Sequence, residues 1–463
     1  MKPNLLFILI DDLGWRDLGC YGSNFYETPN LDRLASEGMS FTDAYAASPV
    51  CSPTRASILT GKYPATVGVT DWIDWGFGLH PCRGRLIDAP YTDHLPFEEK
   101  SLAVALKEGG YNTWHVGKWH LGGEPYLPEN HGFDVNVGGC HWGCPLNGYF
   151  SPYDIPGLEN GSEGEYLTDR LTDEAIRLIE NNNGSPFFLN LWHYAVHTPI
   201  QAKQEHIARF AAKAKAIGLD QLDPFKEGDF FPVEHKKDKR IVRRLIQSDP
   251  VYAAMIYSLD ENVGRLLDAL ERTGQEKNTV VVFTSDNGGL ATAEGSPTSN
   301  APLSEGKGWM YEGGTREPLI VRWPGVVEPG STCSVPVTSP DFYPTFLEMA
   351  GLDTAQCCDG VSLLPLLQAS GSLDREAIFW HYPHYGNQGG TPGSSIRMGD
   401  LLLIEFFEDR HVELYNLRED VSEKYDLTGT EPRLVERMKA MLADWRQSVE
   451  AKIPEPNIVN MNH

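Results

Sequence analysis

The sequence predicts an α/β fold: a large, mostly parallel sheet flanked by helices, followed by a smaller C-terminal α+β unit of antiparallel sheet plus helix. Three observations carry this. Four near-continuous apolar runs of strand length each stop at a polar cluster, helical spacing fills the intervals between them, and past residue 375 the pattern turns to short alternating segments. Apolar runs without alternation belong to strands buried on both faces, which is the condition of a parallel sheet under helices.

Taken in order, the runs are Asn4 to Ile10 before Asp11-Asp12, and Tyr111 to Val116 before Gly117-Lys118-Trp119-His120. Then come Phe187 to Trp192 before His193 and His197, and Thr279 to Ser285 before Asp286-Asn287-Gly288. Between them, Pro29 to Glu37, Ser101 to Glu108, Thr168 to Glu180 and Val251 to Thr273 read as helices; in the last, Met255, Leu259, Leu266 and Leu270 recur at helical spacing. Leu319 to Trp323 reads as one more buried strand. Ile378 to Tyr382, Leu401 to Phe407 and Glu413 to Leu417 then read as a small antiparallel sheet, closed by an amphipathic helix over Pro432 to Ala451. The expected division is a catalytic unit over residues 1–370 and a C-terminal subdomain over 371–463.

The 463-residue chain has a formal net charge of −25, which argues against a general nucleic-acid or membrane-surface binder. An acidic chain that handles an anion must gather its cations locally. The eight cysteines form no CxxC pair, and Cys140 and Cys144, four apart, read as plain thiols rather than a disulfide or metal pair. The run Leu5 to Ile10 is too short for a signal peptide or a membrane span, so the expected location is cytoplasmic as written, and periplasmic or secreted if a leader has been trimmed. The basic run His235 to Arg244 reads as a solvated helix face, with a rim contact for an anionic polymer as the alternative.

In open α/β sheets chemistry collects beyond the carboxyl ends of the strands, and here those ends carry Asp, Lys, His and Asn. Asp11, Asp12, Asp286 and Asn287 make a hard-oxygen set suited to calcium or magnesium rather than zinc. Such acids need a reason to sit together, and a divalent cation supplies one. The cations are Arg55, Lys118, His120, His197 and Lys307, the last within Ser304-Glu305-Gly306-Lys307-Gly308. The stretch Cys51-Ser52-Pro53-Thr54-Arg55 reads as a helix start with Ser52 as N-cap, Pro53 at the first helical position and Gly61 ending the segment. A thiol at that positive end would be ionised and reactive.

Together these residues carry a resemblance. The chain resembles a type I, formylglycine-dependent sulfatase of the alkaline-phosphatase superfamily, of the bacterial carbohydrate kind, along nearly its whole length. The signature is Cys51-Ser52-Pro53-Thr54-Arg55 with Thr60-Gly61-Lys62-Tyr63-Pro64. Further matching stretches are Asp11-Asp12-Leu13-Gly14, Gly117-Lys118-Trp119-His120, His197-Thr198-Pro199, Ser285-Asp286-Asn287-Gly288 and Gly306-Lys307-Gly308 ahead of Tyr311-Glu312-Gly313-Gly314. The resemblance implies an alkaline-phosphatase-like fold. It also implies that a formylglycine-generating maturation enzyme oxidises Cys51 to an aldehyde, whose hydrate attacks sulfur and later re-forms the carbonyl to expel sulfate, a step that serine could not perform. It implies calcium, in preference to magnesium, on Asp11, Asp12, Asp286, Asn287 and the residue at 51. Arg55 would steady the diol and His120 would act as base. Lys118 would bridge residue 51 and the sulfate, and His197 and Lys307 would hold the sulfate, His197 protonating the leaving oxygen.

The loops Val67 to Pro96, Glu124 to Asn160 and His381 to Arg397 are rich in aromatics: Trp72, Trp75, Phe77, Trp142, Tyr149, Tyr382 and Tyr385. Such faces suit sugar rings, and Arg83, Arg85 or the 235–244 run could meet further anionic groups, so the expected substrate is a sulfated saccharide of glycosaminoglycan, mucin or algal type. The competing readings are an aryl sulfatase, a phosphate or phosphonate monoester hydrolase of the same superfamily, a cysteine-nucleophile hydrolase, and a non-catalytic sugar binder with Cys51 unconverted.

Overall fold

The computed structural model describes residues 2–354 and 358–458. Its core is a nine-stranded sheet in the order Ser331–Cys333, Met39–Tyr45, Arg316–Arg322, Thr279–Ser285, Asn4–Ile10, Phe187–Trp192, Asn112–Gly117 and Val135–Val137, with Val337–Thr338 also paired to Met39–Tyr45. The run of strands from Thr279–Ser285 to Val135–Val137 is parallel, as the apolar runs predict. Arg316–Arg322 is antiparallel to both of its neighbours, which makes the sheet mixed.

The central strand explains the absence of alternation. Leu6, Ile8 and Ile10 enter one apolar core, and Leu5, Phe7 and Leu9 enter another on the opposite face. The first core is covered by the helices Pro29–Glu37, Leu167–Glu180, Gln204–Ala216 and Pro250–Arg272; the second by Cys51–Thr60, Leu102–Glu108 and Phe342–Met349. Ser101 caps its helix by accepting from the Val104 amide, and Asp249 does the same for Val251 and Tyr252.

Register then does the positioning. Ile10 lies opposite Ser285, and Gly117 opposite Trp192, so the residues that follow these strands emerge side by side. Gly117 cannot be replaced there: its φ is 101°, and a Cβ would stand 2.0 Å from the Trp192 carbonyl oxygen.

The C-terminal sheet runs Ile378–Tyr382, Gly393–Met398, Leu401–Phe406 and Val412–Asn416, all antiparallel. One face buries Ile396, Leu403 and Leu414 under Val435, Met438 and Leu442 of the helix Pro432–Ser448. The other buries Ile378, Trp380 and Ile404 against Tyr45, Val50 and Met310 of the main unit.

Three expectations are corrected. The helix Cys51–Thr60 is capped by Val50, not Ser52, and Pro53 is its third residue, a position where the missing amide has no intrahelical acceptor to lose. Ser52 instead turns its hydroxyl to tie two loops, donating to the His120 carbonyl (2.9 Å) and accepting from the Ile73 amide (3.1 Å). The basic run is not a helix face: Arg240–Arg244 is a strand paired with Phe225–Phe230, preceded by a single turn at Glu234–Lys236. The strand Met39–Tyr45 and the helix Gln204–Ala216 went unread, the first because its sequence MSFTDAY holds too few apolar residues for a run.

Candidate active site

Beyond the carboxyl ends of the parallel strands, every one of the expected site residues converges. Asp11 and Asp12 follow the central strand, Asp286 and Asn287 follow Thr279–Ser285, and Lys118 and His120 follow Asn112–Gly117. The helix Cys51–Thr60 points its first residue at them, with Arg55 one turn further in.

Arg55 is fully buried and grips Asp286 Oδ2 with Nε (2.8 Å) and a terminal nitrogen (2.7 Å), while its other terminal nitrogen donates to the Lys118 carbonyl (3.1 Å). Its guanidinium also lies 5.1 Å from the Trp192 ring centroid, so it is held on every side. Lys118 Nζ donates to Asp11 Oδ2 at 2.6 Å. Lys307 Nζ sits 2.8 Å and 2.9 Å from the two oxygens of Asp12, whose Oδ1 also accepts from Asn287 at 2.8 Å. His197 Nε2 lies 3.6 Å from Asp12 Oδ2. Asp12 and His120 both adopt left-handed backbone, φ 62° and 56°, a strained conformation that the surrounding packing imposes.

The electrostatics are those of charges crowded out of water. Burial raises the Asp11 carboxyl to about 8 against the pull of Lys118, with Asp286 and Asp12 adding to the rise. Burial opposes the charge on Asp12 as well, but Lys307 and His197 together win and hold it below the usual range. Burial also raises the Cys51 thiol despite Lys118 and Lys307, so the reactive thiolate expected from its helix-start position is corrected: the protein environment keeps it protonated.

Asp11 Oδ1 and Asn287 Oδ1 are buried without a hydrogen-bond partner, and Asp11, Asp12 and His197 bring ligand atoms within 4.8 Å of one another. Unpartnered hard oxygens among mutually repelling carboxylates fit a divalent cation of the calcium type.

His120 has one ring nitrogen fixed. Its Nε2 faces the Ile73 carbonyl at 2.9 Å, an acceptor, so Nε2 carries the proton and Nδ1 turns a lone pair to Cys51 Sγ at 3.3 Å. Burial first, then Lys118, lowers its pKa well below the usual value.

The sulfatase family model matches residues 3–352. The chain belongs to the sulfatase family. A second family model, N-sulphoglucosamine sulphohydrolase C-terminal, matches residues 305–448 of this sulfatase. It is 33% identical to a sulfatase of Formosa agariphila over 93% of this chain and 85% of that one, and 33% identical to the N-acetylgalactosamine-6-sulfatase of Mus musculus over 82% and 68%. Among solved structures it superposes on Ps i-CgsB in complex with k-i-k-neocarrahexaose with a TM-score of 0.76 at 31% identity, covering 96% and 93% of the two chains. The sulfatase is therefore a sulfuric ester hydrolase of the alkaline-phosphatase superfamily.

A cleft opens over Cys51, His120, His197 and Lys307, walled by Trp72, Trp75, Phe77 and Trp142. The other expected aromatics do not reach it: Tyr149, Tyr382 and Tyr385 are fully buried packing residues, and Arg83 and Arg85 lie off its lining. His141, Glu294, Asn387 and Gln388 line the cleft and were missed, since single polar residues in loops carry no periodicity or spacing by which to find them. In the basic hairpin, Lys236, Lys239 and Arg240 line an adjoining groove that shares Glu294 with the cleft, whereas Arg243 is taken up by Glu305 at 2.7 Å and Arg244 is buried. Among the described residues no helix is long and apolar enough to cross a membrane.

Proposed function

We propose that this sulfatase cleaves sulfate esters on a sulfated saccharide, using a formylglycine made from Cys51 and one bound calcium. The observation that carries the reading is the convergence of Cys51 and His120 with Asp11, Asp12, Asp286, Arg55, Lys118 and Lys307 under a cleft walled by tryptophan and phenylalanine. The relatives support the substrate class: one is named for N-acetylgalactosamine 6-sulfate chemistry, and the similar solved structure holds a neocarrahexaose.

Asp11, Asp12, Asp286 and Asn287 would hold the cation together with residue 51. When bound, the cation offsets the charge of the carboxylates and of the sulfate, and the formylglycine hydrate supplies the hydroxyl that attacks sulfur. Arg55, locked onto Asp286 and the Lys118 carbonyl, fixes the helix start and so the direction in which residue 51 projects. His120 accepts a proton at Nδ1 from residue 51, because Nε2 is committed to Ile73. Lys118 and Lys307 present ammonium groups to the sulfate oxygens. His197 donates through Nδ1 to the Thr198 carbonyl (2.8 Å), which leaves Nε2, 3.6 Å from Asp12 Oδ2, to carry a second proton; burial and Lys307 lower the ring's pKa to about 3, and a sulfate beside it favours the protonated ring that passes a proton to the leaving oxygen.

Mass spectrometry of the peptide containing residue 51, followed by sulfate-release assays on sulfated disaccharides, aryl sulfate and aryl phosphate, tests the reading. Conversion to the aldehyde with sulfate release from the saccharide is expected. A preference for phosphate of several orders in kcat/KM would instead place the enzyme among the phosphate monoester hydrolases, and inertness of fully converted protein toward every ester would make it a sugar binder.

A further inference from the structure

A second cluster of metal-type ligands lies outside the catalytic centre, beneath the loop that carries Trp72, Trp75 and Phe77. His80, Cys82 and Asp88 bring an imidazole nitrogen, the thiol and a carboxylate oxygen within 4.8 Å of one another, and Asp71, Asp88 and His384 do the same, so the two triads share Asp88. The side chains of Asp71, Asp88 and His384 are at most 1% exposed and that of His80 is 8% exposed.

The cluster is charged and incompletely satisfied. His80 Nδ1 is 3.2 Å from Asp71 Oδ2 and 3.7 Å from Asp88 Oδ2, yet both His80 nitrogens, Asp71 Oδ2 and His384 Nδ1 lack a hydrogen-bond partner. The outward atoms are all committed. Asp71 Oδ1 accepts from the Trp72 amide (2.8 Å) and the Tyr382 hydroxyl (3.0 Å), Asp88 Oδ1 accepts from the Tyr385 amide (2.9 Å), and His384 Nε2 meets Thr70 Oγ1 (2.8 Å). Asp88 Oδ2 accepts from the Cys82 amide (2.8 Å), so the atoms left over are Asp71 Oδ2, both His80 nitrogens and His384 Nδ1, held by the groups behind them as ligands are. A lone protonated histidine between two carboxylates would explain His80, Asp71 and Asp88, and the Cys82 thiol donates to the Leu79 carbonyl (3.4 Å), but neither gives a part to the buried, unpartnered Nδ1 of His384.

We propose that His80, Cys82, Asp88 and Asp71 bind one zinc ion, with His384 Nδ1 turned to Asp71 Oδ2, 3.6 Å away, as its supporting donor. Mixed nitrogen, thiolate and carboxylate donors in a closed, buried set of four favour zinc over calcium or magnesium and describe a structural site without an open coordination position. Binding displaces the Cys82 thiol proton to solvent and leaves the metal's oxidation state unchanged. The ion joins the loop that forms one wall of the cleft to the end of the strand Ile378–Tyr382, through Tyr382 and Tyr385, and so sets where Trp72 and Trp75 stand over the catalytic centre.

The test is elemental analysis of the full-length enzyme expressed with added zinc and dialysed against metal-free buffer. About one zinc per chain is expected, falling at least about fivefold in Cys82→Ser and His80→Gln, with calcium content unchanged. Cobalt exchanged into the full chain on a Cys51→Ala background is expected to give a thiolate-to-cobalt charge-transfer band that Cys82→Ser abolishes. Substoichiometric zinc in the wild type, zinc that survives Cys82→Ser, or cobalt without that band would each overturn the site and leave His80 as an ion-paired histidine. If the variants do not fold, the wild-type zinc content and the cobalt spectrum still decide. None of these readouts depends on sulfate release, so the zinc site and the proposed sulfatase chemistry stand or fall separately.

Discussion

At the scale of single residues, the proposed mechanism divides the site into groups that hold charge and groups that move a proton. Replacing Asp286 by Asn removes the carboxylate that Arg55 grips and one charge from the cation set, leaving Arg55 buried with half its partners. Calcium affinity, read by titration calorimetry, is expected to fall at least about 100-fold, since each ligand or its immediate support is typically worth 10–100-fold; unchanged affinity would remove Asp286 from the metal set. His120→Ala deletes the ring nitrogen that stands 3.3 Å from Cys51 Sγ, and kcat is expected to drop about 10²–10⁴-fold on protein verified as converted. A loss below tenfold would assign the base elsewhere. Asp11, Asp12, Lys118, His120, Asp286 and Asn287 were legible in the sequence because they sit just beyond strands, where the apolar run breaks, whereas Cys51 and Arg55 on a helix and Lys307 in a loop were legible through their motifs. Their charge states were not: the protonated Cys51 thiol and the raised Asp11 carboxyl follow from burial and from neighbours far away along the chain.

Elements carry the next level of argument. His381 on the strand Ile378–Tyr382 is buried, with Nδ1 to Ser394 Oγ (2.7 Å) and Nε2 to the Lys452 carbonyl (2.8 Å), so it joins two strands and the segment after the last helix. Burial lowers its pKa to about 4, with Arg446 adding to the fall against the opposing Lys452 carbonyl. A histidine whose folded value lies below its unfolded value of about 6.5 contributes stability that is complete above pH 6.5 and is lost as pH falls toward 4. The substitution His381→Gln keeps a donor and an acceptor but does not titrate. The stability difference between wild type and variant, from denaturant titrations at several pH values, is expected to move in the variant's favour by up to about 1.4 kcal/mol per unit between pH 6.5 and 4. A pH-independent difference would mean that the ring is not held neutral. The strands and helices with strong periodicity were legible to within a residue or two, as Pro29–Glu37 and Thr279–Ser285 are. What escaped was set by partners rather than local pattern. Met39–Tyr45 is a strand because Arg316–Arg322 lies beside it, and the basic run is extended because Phe225–Phe230 pairs with it, with Arg240 lying over the Phe230 ring at 4.4 Å.

For the whole molecule, the C-terminal sheet is expected to be part of the folding unit of the main sheet rather than an independent module. Its inner face is not closed by its own residues. Trp380 donates its indole N–H to the Ala46 carbonyl at 2.8 Å and stands 5.3 Å from the Tyr45 ring, while Arg397 binds Asp43 at 2.6 Å. The strand Met39–Tyr45 and the loop leading to Cys51 are thereby clamped from the C-terminal side, and Asn387 and Gln388 from the same side complete the cleft. Separating the two parts would expose Val50, Met310, Ile378 and Ile404 together, an apolar surface that neither part can bury alone. Differential scanning calorimetry of the enzyme with calcium added is therefore expected to give one cooperative transition. Trp380→Ala, costing about 3–5 kcal/mol, should lower that single transition as a whole rather than split it. Two resolved transitions, or a chain ending at residue 370 that stays soluble and active, would make the C-terminal sheet a separable domain. The active centre would then owe its helix start at Cys51 to the main sheet alone.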